Sequence, residues 1–357
     1  MEKGTNLNSG IELGIYTLGE LLYDPFTKKL VSAKQRIDEI VESAKLADDA
    51  GLDVFGIGEH HRLDFAVSSP HVILAAIAQN TSQIRLISAT TILSTVDPVR
   101  LFEDFATLDI VSNGRAEIVA GRGAFLESFP LFGYNLDDYD RLFAENMDLL
   151  LKLNENEHIT WKGNFRSELK DAEIAPRPIQ QRLPIWIGVG SSEASAKRAG
   201  KLGEGLMLAV LGGDPIHFKP LVDAYRNAGL KAGHPSNKLK IAIGSHGYIS
   251  KTSQQAKEEF YSHYINYFKS FMRNGRQMKI SKTDFEQMAG PNNSLFVGSP
   301  QEIIEKILSQ YELFGHQRFL AQMDIGGVPF SKVAKSIELL ATEVAPVVRR
   351  ETKKAAK

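Results

Sequence analysis

Residues 183–195 read Leu-Pro-Ile-Trp-Ile-Gly-Val-Gly-Ser-Ser-Glu-Ala-Ser: an apolar run, a glycine-containing turn, then a serine-capped start of a helix. A short apolar run bounded by turn signals fits a strand buried on both faces. Ser191 and Ser192 are of the residue types that cap helices, and the helix they open turns its first backbone N–H groups outward. Such a terminus attracts a phosphate, although an ordinary capped helix carries the same residues. The stretch is one strand-turn-helix unit, and the fold depends on how often that unit recurs.

It occurs eight times. Residues 11–16, 53–58, 84–90, 116–121, 183–188, 205–210, 239–249 and 318–323 are short apolar runs separated by amphipathic stretches. Within 33–50, Ile37, Ile40, Val41, Ala44, Leu46 and Ala47 form one apolar face, closed by Gly51. Residues 70–81, 99–111 and 193–202 follow the same pattern. Alternating strand and helix signals imply a parallel sheet. Eight units with short connections predict an α/β fold, a (β/α)8 TIM barrel built as one domain over 1–357; an open doubly wound sheet is the alternative. In a barrel the loops after the strands carry function.

Two stretches interrupt the rhythm. Residues 154–181 predict a small hairpin after the fourth helix, leaving through Pro176 and Pro178. Residues 268–297 form a polar, glycine- and asparagine-containing passage after the seventh strand, a candidate lid. The basic end, 349–357, is expected to be flexible.

Composition narrows the function. Lys plus Arg number 42 and Asp plus Glu 43, so no overall field draws nucleic acid or an anionic membrane, and a small molecule is the expected partner. The absence of cysteine removes disulfides, thiolate nucleophiles and thiolate metal sites. The first ten residues lack an apolar signal-peptide core, and no apolar run approaches the ~20 residues of a membrane span. The expected location is cytoplasmic.

Several residues at predicted strand ends bear chemistry. Glu59, His60 and His61 follow the second strand. They suit an acid/base or cofactor-orienting role, or a purely structural one. Metal binding is the weaker reading, because neighbours on an extended chain point to opposite faces. Arg122, between Gly121 and Gly123 after the fourth strand, has a planar fork suited to phosphate; a surface ion pair is the plainer alternative. The small residues Ser88, Ala89 and Thr90 end the third strand and leave room for a flat ring. His246, among glycines in the seventh strand, is a polar group where barrel filling is expected. Phe125, Phe129, Met207 and Met323 fit an apolar pocket wall or simple core packing.

Taken together in order, five pieces resemble the bacterial luciferase-like, flavin-dependent monooxygenases. They are Gly58-Glu59-His60-His61; Asp97-Pro98-Val99-Arg100 with Glu103-Asp104; Ser112-Asn113-Gly114-Arg115 leading to Gly121-Arg122-Gly123; Pro184-Ile185-Trp186-Ile187-Gly188 with Gly190-Ser191; and Val297-Gly298-Ser299-Pro300. The resemblance runs from the first strand to the last helix. It implies reduced FMN supplied by a separate, transiently bound flavin reductase, and dioxygen that converts it to a flavin hydroperoxide. That species would oxygenate a small organic, apolar substrate.

By position, His60 matches the acid/base histidine, and Ala89 with Thr90 a pair joined by a cis peptide under the ring. Arg122 matches the phosphate arginine, and Gly190, Ser191, Ser192 and Ser195 the anion-binding turn. Gly58 and Glu59 fall to the cofactor side; Phe125, Met207 and His246 fall to the substrate pocket. No metal ligand is implied. Homodimerisation through 70–81 and 99–111 is implied, with Val72, Ile73, Ala76 and Ile77 suited to that face or to packing on the barrel. Gly121 stands where luciferase has a reactive cysteine, and Phe125 stands where luciferase places an aromatic residue two positions beyond the next glycine; light emission is not expected. The alternatives are a deazaflavin-dependent oxidoreductase of the same superfamily, a non-catalytic flavin-binding protein and, more distantly, a metal-dependent hydrolase using Glu59, His60 and His61.

Overall fold

Every one of the eight apolar runs contains a strand in the computed structural model, which describes residues 10–123, 125–271 and 280–355. The strands are β1 (Glu12–Thr17), β2 (Val54–Ile57), β3 (Arg85–Ser88), β4 (Ala116–Gly121), β5 (Ile185–Val189), β6 (Gly205–Ala209), β7 (Ile241–Ile249) and β8 (Arg318–Gln322). Each pairs in parallel with the next, and β8 returns to β1 with Gly14 opposite Leu320. The closed sheet is a (β/α)8 barrel, which has no free edge to protect.

The helices that wrap it are α1 (Ala33–Asp49), α2 (Pro70–Ala78), α3 (Pro98–Val111), α4 (Tyr139–Glu155), α5 (Glu193–Leu202), α6 (Lys219–Lys231), α7 (Ser253–Phe271) and α8 (Pro300–Phe314). A final pair follows β8, α9 (Phe330–Leu339) and α10 (Ala345–Ala355), joined by a π-turn at Leu340–Val344. Local sequence sets their ends. Ser32 accepts from the Gln35 N–H at the start of α1, and Asp97 accepts from the Val99 and Arg100 N–H groups at the start of α3. Gly203 and Gly315 close α5 and α8 at φ +69° and +58°, a conformation a side chain disfavours.

The barrel interior is layered by the two-residue period of the strands. Val54, Ile87, Val119, Trp186, Met207, Ala242 and Leu320 fill the middle, with Tyr16 packed on them. Two residues further along, the inward positions are Gly56 on β2, Gly121 on β4, Gly188 on β5, Gly244 on β7 and Gln322 on β8, with His246 on β7 two residues beyond Gly244. Tyr16, Ala89 and Thr90 close this layer, packing against Gly56, Gly121 and Gly188. Two residues earlier lie Glu117 and Arg318, whose paired charges plug the opposite end.

The structure redraws several expected boundaries. The third run extends as strand only to Ser88; at Ala89–Thr90 the peptide is cis, and pairing resumes at Thr91–Ile92 beside β4. α2 stops at Ala78 because the Arg115 guanidinium takes the carbonyls of Ala78, Thr81 and Ile84. Residues 154–181 do hold an antiparallel hairpin, His158–Trp161 with Leu169–Glu173.

The passage at 268–297, expected as a candidate lid, includes regular structure at both ends. α7 continues to Phe271, Lys282–Met288 is a short helix, and Phe296–Gly298 adds to the end of β7. Residues 272–279 of that passage lie outside the described residues. Of the end expected to be flexible, 349–355 is helical and 356–357 lie outside the described residues. Thr352 is buried and accepts from the Ile11 N–H at 3.1 Å, and Arg349 binds Asp53 at 2.6 Å, so this helix clamps the first strand.

Candidate functional site

His60 leaves β2 at the mouth and is 8% exposed. Its ring lies 4.2 Å from Phe65 and 5.1 Å, edge-on, from Phe125, and its Nδ1 has no hydrogen-bond partner. Burial, reinforced by the charges of Arg62 and His61, holds its pKa down at about 3. The imidazole is neutral throughout the physiological range. Its neighbours turn elsewhere: Glu59 bonds His61 Nε2 at 2.8 Å with one oxygen and the Ile92 N–H at 3.0 Å with the other. Glu59 therefore fixes the chain beyond the cis peptide, and Glu59 and His60 do not converge on a common ligand position.

Around the cis peptide the glycines are sterically required. A Cβ at Gly121 would stand 2.3 Å from Thr90 Oγ1, one at Gly188 2.9 Å from Thr90 Cγ2, and one at Gly58 3.0 Å from the Ala89 carbonyl. Any larger residue would expel Thr90 from this wall.

The helix terminus at α5 carries the second feature. Ser192 Oγ accepts from the Ser195 N–H at 3.3 Å and pairs with Ser195 Oγ at 3.2 Å, while Gly190 and Ser191 are exposed. Arg122 donates to Asp140 Oδ1 at 2.5 Å and stands 5.0 Å from the Tyr139 ring. Arg198, one turn beyond Ser195, reaches the same oxygen at 3.9 Å. Two guanidinium groups thus share one largely exposed carboxylate beside the N–H groups of α5. The set is net positive, which suits a mobile anion.

The family model described as luciferase-like monooxygenase matches residues 12–317. The chain belongs to that family. Among its relatives is the oxygenase component of the flavin-dependent trigonelline monooxygenase of Acinetobacter baylyi, 24% identical over 342 residues, 88% of this chain and 90% of the relative. Monooxygenase RslO1 from Streptomyces bottropensis has the same fold, with a TM-score of 0.81 and 24% identity over 94% of this chain and 99% of that one. So does the oxygenating constituent of 3,6-diketocamphane monooxygenase of Pseudomonas putida, solved with FMN, at TM-score 0.76 and 21% identity over 94% and 98%. Members of the luciferase-like family are oxidoreductases.

The structure sorts the residues read from the sequence of this luciferase-like chain. His60 and Phe125 touch, Thr90 meets Gly121 and Gly188, and Arg122 connects to α5 through Asp140 and Arg198. Met207 belongs to the packed layer below the mouth, with Val54 and Leu320. His246, 3% exposed, lies 5.4 Å from Tyr267 and 6.0 Å from Tyr264 on the far side, held at a pKa of about 4 by burial. Ile73 and Ile77, expected at a dimer face or on the barrel, are buried in the core; Val72 and Ala76 face out.

Sequence reading passed over Arg198, Asp140, Glu20 and Gln322. Arg198 was findable as the residue three beyond Ser195 on one helix face. Gln322 was findable as a polar residue two positions beyond Leu320 in an otherwise apolar strand. Glu20, 5% exposed in the loop after β1, carries no such periodic signal.

Proposed function

We propose that the protein is the oxygenase of a two-component monooxygenase, binding reduced FMN from a separate flavin reductase and using dioxygen to oxygenate a small organic molecule. The observation that carries this reading is one barrel mouth combining a cationic helix terminus, a glycine-lined wall and a buried neutral histidine. An isoalloxazine needs a flat wall of small residues, which Ala89, packed on Gly56 and Gly58, and Thr90, packed on Gly121 and Gly188, would supply. A terminal phosphate needs N–H donors and positive charge, which Gly190, Ser191, Ser192, Arg122 and Arg198 supply.

When bound, reduced flavin supplies the electrons that activate dioxygen. The chain's own residues do the rest. Arg122 and Arg198 hold the anion, exchanging their shared Asp140 for it. Thr90, Gly58 and Glu59 shape the wall against the ring. Phe65 and Phe125 keep water from His60, and dryness limits unproductive loss of peroxide. His60, neutral and with Nδ1 free of partners, can accept a proton at that atom or pass one on. A cytoplasmic homodimer paired through α2 and α3 completes the reading.

Titrating the purified protein with oxidised FMN, reduced FMN and a reduced deazaflavin tests it. Tight binding of reduced FMN followed by oxygen-dependent product is the expected result. Failure to bind either FMN form, or uptake of the deazaflavin alone, overturns it.

A further inference from the structure

Across the mouth from His60, the β7, β8 and β1 side is polar where the β2 to β5 side is glycine-lined. Gln322 lies opposite His246 in the β7–β8 register and opposite Tyr16 in the β1–β8 register. All three stand an even number of residues from inner-layer positions on their own strands, Leu320, Ala242 and Gly14, so they face inward. Gln322 Nε2 donates to Glu20 Oε1 at 2.8 Å. Gln322, His246 and Glu20 are 0%, 3% and 5% exposed.

Each nevertheless keeps an atom without a partner: Gln322 Oε1, His246 Nδ1 and Glu20 Oε2. Leaving a buried polar atom unpaired is costly, and these three lie at neighbouring positions. The loop that carries Glu20 does not need this side chain to hold its place. It is zipped to the loop after β2 by a Glu20–Phe65 bridge, by Leu21 N–H to the Asp64 carbonyl at 2.7 Å and by Ala66 N–H to the Gly19 carbonyl at 2.8 Å. Phe65 in turn stacks on His60, so this loop reports directly to the proposed reaction centre. Behind Glu20, Arg36 is paired with Asp324 and offers no direct bond to it. Burial, with Asp324 nearby, lifts the Glu20 pKa to about 8, so at neutral pH the free oxygen bears a proton to donate while Gln322 Oε1 accepts.

We infer that Glu20, Gln322 and His246 anchor the polar end of the substrate. The head group they take is small and neutral, with an N–H or O–H donor beside an acceptor oxygen, as in a primary amide, rather than the acceptor-only carbonyl of an aldehyde. This names the substrate class within the oxygenase reading and rests on it. It also departs from the apolar substrate that the family resemblance suggests.

Calorimetric titration of the full-length protein, flavin-free and FMN-loaded, with benzamide, N,N-dimethylbenzamide and benzaldehyde tests the inference. Benzamide is expected to bind at least ~10-fold tighter than the other two, the effect of one or two buried hydrogen bonds. Gln322→Leu and Glu20→Leu should abolish that preference, and Glu20→Gln, which keeps a hydrogen-bonding head, should restore part of it. Equal affinities, no binding of benzamide, or a preference that survives both leucine variants overturns the inference. A preference seen in protein that takes up no FMN would leave the anchor standing and remove the oxygenase reading; FMN uptake without any preference does the reverse.

Discussion

His60 and Arg122 divide the proposed chemistry between them, and each can be tested alone. With a pKa near 3, His60 has already lost its proton well below neutrality, so the pH profile of kcat/KM should show no inflection near the ordinary histidine value of about 6.5. A clear inflection there that disappears in His60→Gln would contradict the buried, neutral state. The same variant is expected to lower oxygenation by roughly 10²–10⁴-fold, the usual span for removing an acid/base group, while flavin binding persists. For Arg122, the paired ligands are FMN and riboflavin, which differ by the phosphate. Arg122→Ala should weaken FMN by ~10–100-fold and leave riboflavin nearly unchanged, as expected for loss of a charge-assisted hydrogen bond. Equal weakening of both ligands would place Arg122 away from the phosphate.

Among the elements, β4 shows where sequence reading succeeds and where it stops. Its apolar character marks 116–121 as a strand, and its glycine end marks the mouth. Nothing in a window of six residues reveals that Glu117 points inward to meet Arg318 from the far end of the chain. Glu117 accepts from Arg318 at 2.6 and 3.1 Å, from Trp186 Nε1 at 2.8 Å and from Arg85. These cations hold its pKa well below the usual carboxylate range despite full burial. A depressed carboxylate pKa stabilises the fold above the unfolded value, and that contribution is lost as pH falls through the folded one. Acid unfolding should therefore show this pair yielding only in strongly acid solution. Glu117→Ala, which strands Arg318, is expected to cost ~3–5 kcal/mol in urea denaturation at neutral pH. A loss under ~1 kcal/mol would show that Glu12, the other partner of Arg318, suffices.

For the whole molecule, the eightfold alternation made the barrel legible because that rhythm is a local property of hydrophobic period. The assembly is a different matter, since an outward and an inward apolar residue look alike in sequence. Val72, Ile73, Ala76 and Ile77 read as one apolar stripe; the fold buries Ile73 and Ile77 and leaves Val72 61% exposed, with Ala76 one turn on. Ile110 and Val111 at the end of α3 are 43% and 40% exposed, and Gln79, the C-cap of α2, bonds the Val111 carbonyl at 3.3 Å, whereas Val72 lies in the first turn of α2. Exposed apolar residues on these adjacent helices fit the homodimer proposed above, which their burial would stabilise. Sedimentation equilibrium at micromolar concentration should accordingly return twice the chain mass. Val72→Glu, which would place a charge within the proposed contact, should weaken the dimer by ~100-fold or more while the monomer stays folded, because Val72 makes no part of the core. A wild-type protein that sediments as a monomer, or a Val72→Glu dimer as tight as wild type, would assign these apolar residues to some other surface.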